Sequence, residues 1–336
     1  MERQLLAMGI RYRKRPFDTR SVTELRKLGG MTALLRKLSD LRDSLARRRG
    51  AQLLSYALAA LIFGGGGWVA LANVDRNLTQ LSVTPLLLLA LIVVPATLAA
   101  NALEYALSAA ITGHRVGVVH ALRVSLYATA ANLFPVPGSA IVRVVALKRQ
   151  GAGTGGAISS TAALGLIWLA LSALGAGAWS VRAAGLEPTP IALTVAGIAM
   201  LTVALVLLRR YVPASRRMTM TVLALLVTAA KITVAAVGLM LAFRAIGFAG
   251  TIGQGYVITL SGALASAAGI FPGGLGLREV LASFLAPLVG VDGSLAFLAV
   301  ALERLVGMGV YAVVSLGIPT FTFRRESPDP SPSRDS

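Results

Sequence analysis

The chain has 336 residues, 56% of them hydrophobic and only 14% charged, with a mean hydropathy of +0.74. An ordinary soluble domain carries about 25% charged residues, so this composition excludes one and implies an all-α polytopic membrane protein. The formal charge of +18 does not imply nucleic acid: 14 of the 32 Lys and Arg residues lie in the first 50 positions, and most others sit in short loops between apolar runs, the positive-inside pattern.

Residues 1–50 form a basic region that starts with no apolar core, so it is not read as a cleavable signal and is expected to stay in the mature chain. Within it, Ser21 and Glu24 make a capping box, and Leu34, Leu38, Leu41 and Leu45 recur on one helical face. Ser21–Arg49 is therefore read as an amphipathic helix that lies on anionic headgroups or docks a partner helix. The alternative is a solvated tail that only sets topology. The membrane domain is expected over residues 51–321, followed by a disordered cytoplasmic tail, 322–336, rich in Pro, Ser and Asp.

About 20 apolar residues cross a bilayer as a helix. Spans are predicted at Ala51–Ala72, Pro85–Ile111, Gly155–Ser180, Ile191–Leu208, Met220–Phe243 and Ser294–Phe321. Strands of a barrel would alternate polar and apolar residues, and these runs do not. Gly64–Gly67 in the first span are read as close-packing positions, Pro95 in the second as a kink. His114 and His120 lie in a basic loop, Gly113–Arg123, and are read as loop residues rather than metal ligands. With no cysteine there are no disulfides and no thiolate ligands, and no cofactor motif is present.

Two apolar stretches do not fit a simple span. Val124–Gln150 is split by Pro135, Pro137 and Gly138, with basic residues at both ends. Thr251–Gly290 is split by the run from Phe271 to Gly276, with Arg278 and Glu279 just after it. Broken backbone at membrane depth survives only where protein or a wet cavity satisfies it, and an ionisable residue there marks a candidate site. Each stretch is read as a re-entrant helical hairpin, the first entering from the cytoplasmic face and the second from the other. The whole is then six full spans and two broken hairpins in an inverted repeat, with both termini cytoplasmic. A kinked helix pair spanning once is the alternative for each.

At the second break, FPGGLGLRE (Phe271–Glu279) resembles the Pro-Gly-Gly-x-Gly-x-Arg-Glu signature of the flippase domain of lysylphosphatidylglycerol synthetases. Glu303-Arg304 is similar to the charge embedded in that family's later apolar helix. The first break is similar to the family's Pro-x-x-x-Gly-Glu-x-x-Arg pattern at Pro135 and Arg143, and departs from it at Ser139 and Ala140. The resemblance spans about residues 51–320. It implies an inner-membrane lipid flippase, and no aminoacyl-transfer activity is expected of this chain.

The residues expected to bind substrate are Arg143, Lys231, Pro272, Gly273, Gly274, Gly276, Arg278, Glu279, Glu303 and Arg304, with Glu104 as a further buried charge. Cations at mid-depth replace the water of an anionic or phosphate-bearing lipid headgroup, and arginine does so with two parallel hydrogen bonds. Gly273–Gly276, ahead of a helix starting near Leu277, offer backbone N–H groups to an anion. Glu279 and Glu303 would hold the arginines when the site is empty. The competing structural role is that Arg278-Glu279 and Glu303-Arg304 pair across a helix interface and lock the fold, while Arg143 and Lys231 snorkel to an interface. Two other functions stand beside lipid movement: a non-transporting membrane partner that docks a cytoplasmic envelope enzyme through Ser21–Arg49, and an intramembrane enzyme. The last lacks a paired-carboxylate metal motif and a serine with a histidine base.

Overall fold

The computed structural model describes residues 49–73, 81–132, 138–269 and 271–316. The chain divides into a unit ending at Leu53 and a unit starting at Leu54, and the former lies almost wholly outside the described residues. So do the expected amphipathic helix, save its last residue, and the C-terminal tail. Among the described residues all regular structure is helical, and six helices are long and apolar enough to cross a membrane. The protein is an all-α, multi-pass membrane protein.

The six are α1 (Arg49–Asn73), α2 (Val83–Ile111), α5 (Thr154–Ala184), α6 (Pro188–Tyr211), α7 (Arg217–Ala245) and α10 (Gly293–Leu316). Between them lie the pairs α3 (Val118–Ala131) with α4 (Gly138–Arg149), and α8 (Ile252–Ala268) with α9 (Leu277–Leu285). The predicted spans were right in number and order. α2 starts two residues before Pro85, because a proline in the first helical turn lacks an N–H that has no partner there anyway. Inside α2, Pro95 is accommodated by a wide π-turn at Leu89–Val93, and the helix runs on through it. The expected loop Gly113–Arg123 is shorter than predicted, since α3 begins at Val118 and takes His120 and Arg123 into the helix.

Both broken stretches fold back on themselves, which rules out the single kinked span. α3 has 14 residues and α4 has 12, about 21 and 18 Å of helix against about 30 Å of hydrocarbon. Ala121 and Val124, near the start of α3, share an apolar cluster with Leu147 near the end of α4. At the tip the arms run so close that a methyl group on Gly138 would stand 2.0 Å from the Ala131 carbonyl oxygen. Asn132 Oδ1 accepts from the Ser139 N–H at 2.9 Å, so a side chain from one arm caps the first turn of the other. In the second hairpin a Thr251–Gln254 capping box starts α8, and Gln254 Nε2 donates at 3.3 Å to the Val289 carbonyl beyond α9. Asp292 Oδ1 accepts from the N–H groups of Ser294 and Leu295 and starts α10.

The hairpins enter from opposite ends of the bundle. The Ser82 N–H donates to the Ala245 carbonyl at 3.0 Å, placing the start of α2 beside the end of α7, where the second hairpin begins. The end of α2 shares a cluster with Leu208, Val212 and Ala224 around the α6–α7 turn, and the first hairpin opens there. That end carries Arg115, Lys148, Arg149, Arg209, Arg210, Arg216 and Arg217, with no acidic residue among those described. The other carries Arg182, Glu187, Arg244 and Asp292.

In lipid, helices associate through close packing rather than release of water, and small residues permit the approach. A methyl on Gly197 of α6 would lie 2.7 Å from Leu174 of α5. Of the four glycines in α1, only Gly66 lies hard against a neighbour, Phe297 of α10, and Gly64 and Gly65 face open space. The expectation of close packing holds for one edge of that run alone.

Candidate functional site

The second break lies against Asn132 at the end of α3, the last described residue before the first break. Gly273 sits in a 3-10 turn, Pro272–Gly274, with φ of 56°. L-residues rarely adopt that conformation, and a side chain there would also lie 3.0 Å from the Asn132 carbonyl oxygen at the tip of the first hairpin. The helices that meet here hold two groups of paired charges, each built around a buried glutamate.

The first group is centred on α2. Glu104 Oε1 lies 3.2 Å from Arg143 Nη1 of α4, and Oε2 lies 2.7 Å from Lys231 Nζ of α7. The Lys231 ammonium also stands over the Trp168 ring of α5, 4.3 Å from its centroid. Both contacts favour a cation, one by charge and one through the ring quadrupole. The Arg143 and Lys231 side chains are only 12% and 13% exposed, so neither snorkels to an interface as the structural alternative had it. Asn101 Oδ1 lies 3.5 Å from Arg143 Nη2.

The second group joins α9 to α10. Arg278 Nη2 is 2.5 Å from Glu303 Oε2, and Arg304 Nη1 is 3.1 Å from Glu279 Oε1. Neighbouring residues on a helix point about 100° apart, so each adjacent pair presents one acid and one base to the facing helix and the pairing is crosswise. Glu279 is fully buried in the first turn of α9, where the partial positive charge of the helix start favours a carboxylate. Its Oε2 has no hydrogen-bond partner. Arg304 Nη2 donates to the Gly273 carbonyl, tying α10 to the glycine turn.

α7 links the groups. Gly238, seven residues and about 10 Å along the helix from Lys231, packs against the π-turn of α2 and Glu303, 3.7 Å from Glu303 Oε1 to a methyl placed on it.

All the charged candidates are thus brought into two clusters, and the helix after the break starts at Leu277 as expected. The glycines of the expected backbone cradle are engaged in packing: the Gly274 N–H donates to the Phe271 carbonyl at 3.0 Å, and a methyl on Gly276 would lie 2.8 Å from Ile62 of α1. Pro272 contributes its backbone to the turn. Sequence reasoning missed the role of Glu104 as the carboxylate shared by Arg143 and Lys231, gave Asn101 no role, and missed Trp168 altogether. Three polar or charged residues inside apolar helices were the available signal, but their partners lie far along the chain.

A shallow depression at the α7–α8 turn, lined by Met240, Arg244, Gly247 to Gly250, Thr251 and Ile252, belongs to the open end of the second hairpin and includes none of the charge-group residues. No family model, no curated protein and no solved structure matches the chain.

Proposed function

We propose that this protein moves, or assists the movement of, an anionic or phosphate-bearing lipid or lipid-linked headgroup between leaflets of the inner membrane. The observation that carries this reading is the close approach of Gly273 in the second break to Asn132 at the end of α3, with four cations only 11–20% exposed in the two charge groups. A headgroup crossing hydrocarbon must exchange its water for protein partners, and a polar junction reached from both ends of the bundle supplies them halfway. The ion pairs serve a resting state, in which each carboxylate holds the guanidinium or ammonium that an arriving anion would take. The basic end of the bundle is cytoplasmic on this reading, as are both termini. The resemblance of Phe271–Glu279 to the flippase signature points the same way.

The test is leaflet-resolved lipid accessibility in vesicles containing the purified chain, with fluorescent phosphatidylglycerol as the probe. Wild-type protein is expected to expose inner-leaflet probe to an added quencher, and Arg278→Ala and Glu279→Ala are expected to slow that exposure about tenfold or more. If the protein moves no anionic lipid and both variants keep the cellular phenotype, lipid movement is abandoned. If removal of residues 1–45 abolishes the phenotype while lipid still moves, docking of an envelope enzyme becomes the better reading.

A further inference from the structure

The charges of the two groups do not balance alike. Arg278 and Arg304 meet Glu303 and Glu279 one to one, whereas Arg143 and Lys231 share the single carboxylate of Glu104. The first group therefore holds one positive charge beyond what its carboxylate neutralises. Arginine does not shed its proton in proteins, and Lys231 has its ammonium between Glu104 and the face of Trp168.

A second observation gives that surplus a direction. Arg143 uses Nη1 on Glu104, reaches Asn101 only at 3.5 Å through Nη2, and has a buried Nε without an acceptor. The Nε–H and the adjacent Nη2–H run parallel, and this is an edge with which a guanidinium grips two oxygens of one oxyanion. Arg278 also has an unpartnered Nε, but its Nη2 is held by Glu303 at 2.5 Å.

We propose that Arg143, Lys231 and Glu104 form a binding site for one monoanionic oxyanion of the phosphodiester class. The Nε–Nη2 edge of Arg143 takes the anion side-on, Lys231 supplies the balancing charge, and Glu104 sets the accepted charge at one. A dianionic phosphomonoester would leave the group net negative inside an apolar bundle. This rests on the reading of the chain as a binder of anionic headgroups and narrows it: the first group, with its surplus charge, is the one that holds the anion, while the quartet of the second is balanced at rest. A lipid headgroup and a free phosphodiester both satisfy this chemistry.

The test uses the full chain in nanodiscs of zwitterionic phosphatidylcholine, titrated calorimetrically with three probes. These are dihexanoyl phosphatidylglycerol, dihexanoyl phosphatidic acid at alkaline pH, and diethyl phosphate. Wild type is expected to prefer phosphatidylglycerol to phosphatidic acid by about tenfold or more; Lys231→Met loses that affinity about tenfold, and Lys231→Arg keeps it. Glu104→Gln raises the surplus to two and is expected to shift preference toward phosphatidic acid. If that variant does not fold, the two Lys231 variants decide. Binding of diethyl phosphate within a few fold of the lipid supports a free phosphodiester as the occupant, and binding of lipid alone supports a headgroup. Wild-type affinity in Lys231→Met overturns the site, as does an unchanged preference in folded Glu104→Gln. If lipid moves but Lys231→Met binds normally, this site fails and the proposed function stands. If the preferences hold but no lipid moves, the site stands and translocation fails.

Discussion

The two hairpins face the same difficulty, a charged tip inside an apolar bundle, and handle it differently. The second carries acid and base side by side on α9 and meets the same arrangement on α10, so four charges cancel within one interface. The first carries Arg143 in the turns of α4 nearest its break, with no acid beside it, and takes its carboxylate from α2, sharing it with a lysine of α7. One tip is neutral and built from a single helix pair, while the other holds surplus charge and joins three helices. The difference teaches that a carboxylate lacking beside one break can be supplied from elsewhere in the fold, here by Glu104 of α2, with a changed charge balance as the result.

That contrast yields a graded set of stability tests, each read as unfolding of the detergent-solubilised protein. The largest effect is expected at the balanced quartet. Glu279→Gln leaves Arg304 buried without its counter-charge and should cost about 3–5 kcal/mol, while Glu279→Gln with Arg304→Met should recover most of that loss. Equal destabilisation of the single and double variants would show that the pair is not the unit proposed. Next come the tips. Gly273→Ala forces a side chain into a positive φ between Arg304 and Asn132, and Gly138→Ala pushes on the Ala131 carbonyl; each should cost about 1–3 kcal/mol. A loss in only one of them would mean that the tips are not equally constrained. The smallest effect is expected at Lys231→Met, within about 1 kcal/mol of wild type, because Glu104 and Arg143 remain as a neutral pair and methionine still packs on Trp168. A cost as large as that of Glu279→Gln would erase the distinction between the groups.

The spans were legible because each is a long apolar run, and the breaks because proline and glycine interrupt such runs. The start of α9 at Leu277 followed from the last glycine before it. What could not be read was contact at a distance. Lys231 and Glu104 are 127 positions apart, and no local periodicity relates them. The four glycines of α1 look alike in sequence, yet only Gly66 meets Phe297 closely, since the difference lies in the azimuth of α10. The cross-pairing of α9 with α10 was foreseen as the fold-locking alternative, and the structure displays that pairing.

The wide turn ahead of Pro95 resets the phase of α2. A π-turn accommodates one extra residue, and one residue is about 100° of rotation. Everything in α2 beyond Val93 is therefore turned by that angle relative to an unbroken α-helix with the same beginning. Glu104 lies three turns further on, and its bridge to α4 and α7 depends on that offset. Proline, often read as the residue that spoils a helix, here acts at a distance of about 13 Å as the element that times where a carboxylate faces.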